Sequence, residues 1–338
     1  MSAMDMTSAG ESTRVEISVI VPVFNEAENI PGLLARLTPV LERLAASHEI
    51  IFVDDGSRDN TMTALRAANA ADARVTAVSF SRNFGKEIAI AAGLDNAEGA
   101  AVVIMDADLQ HPPEVIEAFI AKWREGFLNV YGQRTDRDTD SRVRRMFTKR
   151  FYRLFAALGE TALPEGAGDF RLLDRRAVLA LRAMPERARF SKGLYAWIGF
   201  KSVGVPFEVA ERAAGESKFS YRKLTRFALD GLMSFSTMPL MVWTYIGTAV
   251  SFFALLMAMR FLLVTVIYGV DVPGFATIIV SVMFLGGIQL LSLGVLGEYV
   301  GRIFAEVKRR PLYLVGERIG NPAEPAPDPT PRSHARRV

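Results

Sequence analysis

The sequence contains no cysteine. That excludes disulfides and thiolate metal sites, and it fits a reducing compartment. Histidine is nearly as scarce: His48, His111 and His334 lie far apart and form no metal cluster. No Gly-x-Gly-x-x-Gly follows the first expected strand, where Pro22-Val23-Phe24-Asn25-Glu26 stands instead, and there is no Walker A loop. A Rossmann dinucleotide site and a P-loop are therefore disfavoured. The net charge of +3 is too small to indicate nucleic acid, and no stretch resembles a nucleic-acid module. No internal repeat is present. Residues 1–14 lack the apolar core of a secretory signal, so the N-terminal region is expected to stay in the cytoplasm.

The most informative lack is of charge within two long apolar runs. Residues 238–259 and 275–297 contain no Asp, Glu, Lys, Arg or His. Each exceeds the roughly 18–20 residues that a helix needs to cross a bilayer. The alternative is a pair of buried core helices. Basic residues flank the runs: Lys218, Arg222, Lys223 and Arg226 before the first, Arg302, Lys308, Arg309 and Arg310 after the second. The connector around Tyr268-Gly269-Val270-Asp271 carries none. By the positive-inside rule both ends are cytoplasmic, and the runs form a two-span hairpin in the inner membrane. Arg260 interrupts the apolar pattern, either snorkelling to the outer interface or facing a partner within the bilayer.

What is there begins with alternation. Residues 15–24, 49–53, 75–80 and 101–105 read as Val- and Ile-rich strands, with a short strand near 128–131. Between them, 28–46, 60–71, 86–96 and 112–125 have helical spacing of apolar residues. This order predicts an α/β, Rossmann-like, mostly parallel sheet with helices on both faces. Residues 160–217 are mixed, with strand-like 201–209. The expected layout is a disordered 1–14, a catalytic domain over 15–217 and an amphipathic interface helix over 218–236. A transmembrane hairpin over 237–304 and a cytoplasmic segment over 305–338, ending in a disordered tail, complete it.

Ligands of such sheets bind beyond the carboxyl ends of the strands. Three polar clusters fall there: Asn25-Glu26, Asp54-Asp55-Gly56-Ser57 and Asp106-Ala107-Asp108. Two carboxylates at a strand end repel unless a cation lies between them, and Mg2+ or Mn2+ takes such hard oxygens together with substrate phosphates. Gln110 adds a neutral oxygen. The competing reading is a helix cap ahead of Pro112-Pro113. Asp54-Asp55-Gly56-Ser57 is open between a turn and a base- or ribose-binding site.

The segments Val21-Pro22-Val23-Phe24-Asn25-Glu26, Val53-Asp54-Asp55-Gly56-Ser57 and Asp106-Ala107-Asp108-Leu109-Gln110 resemble the family 2 inverting glycosyltransferases of GT-A fold. Gly168-Asp169-Phe170-Arg171, Arg189-Phe190-x-Lys192-Gly193 and Arg212-x-x-Gly215-Glu216-Ser217-Lys218 narrow the resemblance. They look like the polyprenyl-phosphate branch, which includes dolichol-phosphate mannose synthases and bacterial undecaprenyl-phosphate glucosyltransferases. Gly297-Glu298-Tyr299-Val300-Gly301-Arg302 is similar to the bacterial two-span members.

The resemblance implies that Asp106, Asp108 and Gln110 hold Mg2+ or Mn2+ on a nucleotide-sugar donor. Pro22, Glu26, Asp54 and Asp55 match nucleoside-binding positions. Lys192, Arg212 and Lys218 match residues on phosphates, with attraction to anionic lipid as the alternative for the last two. Arg134, Arg144 and Thr148 match acceptor-phosphate positions. Asp169 matches the proposed base, although a turn after Gly166 and Gly168 would also suit it. The implied partners are a nucleotide sugar, first of all UDP-glucose, a polyprenyl-phosphate lipid, the bilayer and further copies of the chain. A processive polysaccharide synthase is disfavoured by the lack of a Gln-x-x-Arg-Trp motif, and a non-catalytic membrane scaffold by the acidic clusters.

Overall fold

A computed structural model describes residues 15–45, 47–134, 167–184, 186–187, 189–208, 238–268 and 274–320. Strands β1 (Ile17–Val23), β2 (His48–Asp54), β3 (Val75–Phe80) and β4 (Ala101–Ile104) alternate with helices α1 (Asn29–Leu44), α2 (Thr61–Ala71) and α3 (Lys86–Asn96). After α4 (Val115–Arg124) come β5 (Asn129–Arg134), β6 (Ala167–Asp174), α5 (Arg175–Arg182), α6 (Ser191–Trp197) and β7 (Ser202–Phe207). Two long helices, α7 (Met238–Tyr268) and α8 (Phe275–Val307), precede a last strand, β8 (Val315–Ile319). The expected elements of the first 130 residues are present within two residues or so at most ends.

Among the described residues, eight strands form one sheet in the order β7-β5-β6-β4-β1-β2-β3-β8. β4, β1, β2 and β3 run parallel, and β6 and β8 are antiparallel to their neighbours. A fully covered parallel sheet needs apolar residues on both faces of each strand, which is why β1 reads Ile-Ser-Val-Ile-Val-Pro-Val and buries nearly all of them. The period of two then divides the core. Val19, Val21 and Val103 pack with α1 and α4, whereas Ile20, Val53 and Val78 pack with α3, α5 and α6. On the second face the helix comes very close. A Cβ added to Gly93 of α3 would lie 2.2 Å from Ile20 Cγ2, so only glycine fits there.

β6 and β8 were not anticipated. β6 sits between β4 and β5 and carries Asp169 and Arg171, two charged residues that mask its apolar pattern. β8 has only Ile319 buried and adds to the β3 edge through backbone pairing and a bidentate Arg66–Glu317 ion pair at 2.8 Å. Tyr313, just before β8, stacks on Phe80 and donates to Asp95 at 3.1 Å.

α7 and α8 have 31 and 33 residues and touch each other. Among the described residues, one stretch, Phe284–Val307, is long and apolar enough to cross a membrane, and Tyr245–Met257 is a shorter apolar segment. The helix α8 does not end with the apolar run at Gly297. It continues as one helix through Glu298, Arg302 and Glu306 to Val307, where it meets Arg187. There the Arg187 N–H donates to Glu306 Oε1 at 2.7 Å, and its guanidinium donates to the Arg310 carbonyl at 2.5 and 2.9 Å. The amphipathic helix expected at 218–236 lies outside the described residues.

Candidate active site

The chain runs from β1 outward to β2 and β3, then returns to place β4 on the other side of β1. The crevice beyond the carboxyl ends of β1 and β4 is the switch point, where open α/β sheets bind ligands. Met105 continues the β1–β4 pairing through its N–H to Ile20 O at 3.1 Å, and Asp106 follows immediately. Its position is set by the sheet.

The β4–β6 register brings a second acid to the same point. Ala101 pairs with Asp174 and Ile104 with Arg171 in antiparallel order, so two residues further on Asp169 stands opposite Asp106. Between them lies a cation. Lys86 Nζ is 2.6 Å from Asp106 Oδ1 and 3.1 Å from Asp169 Oδ2. The crevice is open at its mouth, since the Lys86 side chain stays 43% accessible. Burial alone would raise the pKa of Asp169, but Lys86, with Lys192 and Arg171, holds it down to about 2. Lys86 is correspondingly lifted: burial opposes its charge, and the two carboxylates outweigh that opposition.

Lys86 was missed by the sequence reading, yet a signal existed. Ser81-Arg82-Asn83-Phe84-Gly85-Lys86 is a polar cluster after a strand, at the same sheet edge as Asn25-Glu26, Asp54-Asp55 and Asp106-Ala107-Asp108. Lys86 opens α3, where the positive end of the helix dipole disfavours a cation. The local fold holds it there anyway. Asp55 accepts the Phe84 N–H at 2.6 Å and the Gly85 N–H at 2.9 Å, and Gly85 takes φ 102°. Asp54 accepts the Ser57 N–H at 3.1 Å and the Ser79 hydroxyl at 2.6 Å. Both carboxylates of the Asp54-Asp55 pair therefore shape loops, through Gly56 with φ 71°.

Other residues complete the surroundings. Arg171 is 2% exposed, with its guanidinium 3.6 Å from the Tyr195 ring centroid and donating to Gly168 O at 2.6 Å. It thus pins the backbone that carries Asp169. Glu87 accepts the Ser191 N–H at 3.0 Å, which ties α6 and its Lys192 to the start of α3. Burial, then Asp169, pushes Glu87 above the usual carboxylate range. His111 stacks on Phe170 at 4.8 Å, with Nδ1 buried, without a hydrogen-bond partner and 4.0 Å from Asp106 Oδ2. Burial, the largest influence, lowers its pKa.

Of the remaining expected residues, Pro22 pairs with Val53 near the end of β1. Glu26 follows β1, its N–H donating to Thr61 Oγ1 at 3.0 Å and its carboxylate accepting Asn29 Nδ2. Asn25 N–H donates to Ser57 Oγ at 2.8 Å, which stitches the first two loops together. Asp108 accepts the Gln110 N–H at 3.1 Å across Leu109, whose φ is 57°. Arg134 ends β5, which runs parallel to β4, so it emerges at the same edge. Arg144, Thr148, Arg212 and Lys218 lie outside the described residues.

Among the described residues, no three His, Cys, Asp or Glu side chains make a ready metal cage. The oxygen donors Asp106, Asp108 and Gln110 nevertheless suit a hard cation that draws its other ligands from a phosphate and water. The unpaired buried Asp169 Oδ1 and His111 Nδ1 mark polar capacity beside them. The residues fit Mg2+ or Mn2+.

A family model described as glycosyl transferase family 2 matches residues 18–181. A glycosyltransferase of Synechocystis sp. is 47% identical over 306 residues, 90% of this chain and 96% of its own length. The SfII prophage-derived bactoprenol glucosyl transferase of Shigella flexneri is 44% identical over 309 residues, 91% of this chain and 100% of its length. Among solved structures, glucosyl-3-phosphoglycerate synthase from Mycobacterium tuberculosis is similar at 17% identity and a TM-score of 0.48, covering 65% of this chain and 80% of that one. The chain belongs to glycosyltransferase family 2, as its three acidic motifs imply. It is a glycosyltransferase.

Proposed function

We propose that the protein transfers one hexose, with inversion, from a nucleotide-diphosphate sugar to a polyprenyl phosphate at the cytoplasmic membrane face. The product is a polyprenyl-phosphate sugar for cell-envelope glycosylation. UDP-glucose is the first donor to test, ahead of mannosyl and aminosugar donors. One observation carries the reading: the match to a bactoprenol glucosyl transferase spans that relative's full length. A match confined to the catalytic domain would leave the acceptor open.

In this reaction an oxygen of the acceptor phosphate attacks the anomeric carbon, and the bond from that carbon to the donor diphosphate breaks on the opposite face. Asp106, Asp108 and Gln110 would hold the divalent ion, which neutralises charge on the leaving diphosphate. Lys192, Arg212 and Lys218 are proposed on donor phosphates. Pro22, Glu26, Asp54 and Asp55 frame the nucleoside, the last two through the loops they hold. Arg134, Arg144 and Thr148 are proposed to bind the acceptor phosphate. That phosphate carries roughly −1.5 to −2 charge and is already nucleophilic. Asp169, engaged by Lys86 at 3.1 Å, therefore orients the acceptor or sugar rather than removing a proton.

The acceptor explains the anchor. Each lipid methylene holds the chain in the bilayer by about 0.8 kcal/mol, so the enzyme must come to the interface. We assign α7 and α8 to a two-span hairpin, supported by their lengths of 31 and 33 residues. The test is to supply membranes containing the protein with undecaprenyl phosphate and a panel of labelled nucleotide sugars. Label moving from UDP-glucose into the organic phase is expected. Absence of a lipid-extractable product from every donor would overturn the proposal.

A further inference from the structure

We propose that Lys86 is a displaceable counter-ion: its ammonium holds the cation position at Asp106 until the divalent ion arrives, and then binds a phosphate oxygen. The inference rests on the metal–donor reading above and adds a residue and a sequence of events to it.

The geometry leads there in three steps. Lys86 Nζ approaches Asp106 Oδ1 at 2.6 Å, the closest ion pair in the crevice, and Asp106 is also a proposed metal ligand. A divalent ion and an ammonium held on one carboxylate repel each other strongly in a recess of lowered dielectric. One of them must yield. The lysine is able to, because its stem is flexible, its side chain is 43% accessible and its second anchor, Asp169 Oδ2, remains at 3.1 Å.

The destination follows from what enters with the metal. An ammonium has three donors, and two of them serve Asp106 and Asp169. Release from Asp106 leaves two donors directed at the crevice, where the arriving anions are phosphates. The local fold is arranged for such a cation rather than merely tolerating it. Asp55 spends both its oxygens on the loop that sets Lys86, against the adverse helix dipole. The phosphate is either the donor diphosphate or the acceptor monophosphate, two sources of one chemistry.

The test uses the full-length protein in nanodiscs, with Mn2+ binding followed by electron paramagnetic resonance in the absence of nucleotide. Removing a competing cation should tighten Mn2+ binding in Lys86→Met by roughly three- to tenfold, while kcat/KM falls by about 100-fold or more, as for loss of a group that contacts reacting phosphates. Lys86→Arg, which keeps the charge, should bind Mn2+ like the wild type. Lys86→Gln serves as a second neutral variant should the methionine not fold. A raised KM for the nucleotide sugar would identify the donor diphosphate as the target, and a raised KM for the lipid would identify the acceptor. Folded neutral variants that bind Mn2+ no better than wild type, or retain full activity, would overturn the inference. If the wild type shows no Mn2+ site sensitive to Asp108→Asn, the metal reading itself fails instead.

Discussion

The carboxylate of Asp55 accepts the Gly85 N–H through both its oxygens, at 2.9 and 3.1 Å. An acid in the second loop thereby fixes the backbone from which the cation of the site extends. Burial raises the Asp55 pKa, and the backbone N–H groups of Phe84 and Gly85 act against that rise. Asp55→Ala leaves those donors unpaired, so stability should fall by about 1–3 kcal/mol. Asp55→Asn, which keeps one acceptor oxygen, should lose less. Denaturant unfolding with parallel transferase assays checks this order, and equal behaviour of the two variants would contradict it.

The contact between Arg187 and the end of α8 links the long helix to the site. Arg187 lies four residues before Ser191, whose N–H binds Glu87 next to Lys86. Arg187→Ala removes the ion pair to Glu306 and the paired donation to Arg310 O. Arg187→Lys keeps a charge but not the forked geometry. The alanine variant should lower the melting temperature and kcat, and the lysine variant should fall between it and wild type. A lysine variant as impaired as alanine would show that charge contributes nothing.

Glu49 gives a pH-dependent test away from the site. Its carboxylate accepts the Ser18 hydroxyl and the Glu98 N–H at 2.8 Å, and burial, outweighing these bonds, raises its pKa. A raised acid binds its proton more tightly when folded, so its contribution is greatest below the ordinary glutamate value. That contribution is lost as pH rises through the folded value. Glu49→Gln removes the titration. The stability of the variant relative to wild type should therefore increase from about pH 4 upward and then level off. Stability curves that stay parallel across that range would contradict the assignment.

How much was legible follows from where each signal resides. The parallel core could be read because strands covered on both faces must be apolar throughout, as in Ile17–Val23. Asp106 could be placed because it follows such a strand. β6 could not, since it is the pairing partner that identifies it, and Asp169 and Arg171 break its pattern. Asp169 was named from resemblance, but its position opposite Asp106 needed the antiparallel register. Lys86, one of 40 Lys and Arg, has no periodicity to single it out, and its one signal is its place in a polar cluster after β3. Asp54 and Asp55 show the converse, being legible as acids of a turn at a strand end, whereas their distant partners Ser79, Phe84 and Gly85 needed the fold. The hairpin expected to end at 304 ends at Val307, but the docking of that helix end on Arg187 is a tertiary contact with no local pattern.

The central claim is that Asp106 and Asp108 hold the metal of a nucleotide-sugar donor. Its most direct measurement is the rate of glucose transfer from UDP-glucose to undecaprenyl phosphate by Asp108→Asn, compared with wild type at matched expression and folding. Loss of a metal ligand worth several kcal/mol to the transition state predicts a fall of about 100-fold or more. A variant that transfers glucose at the wild-type rate would contradict the account.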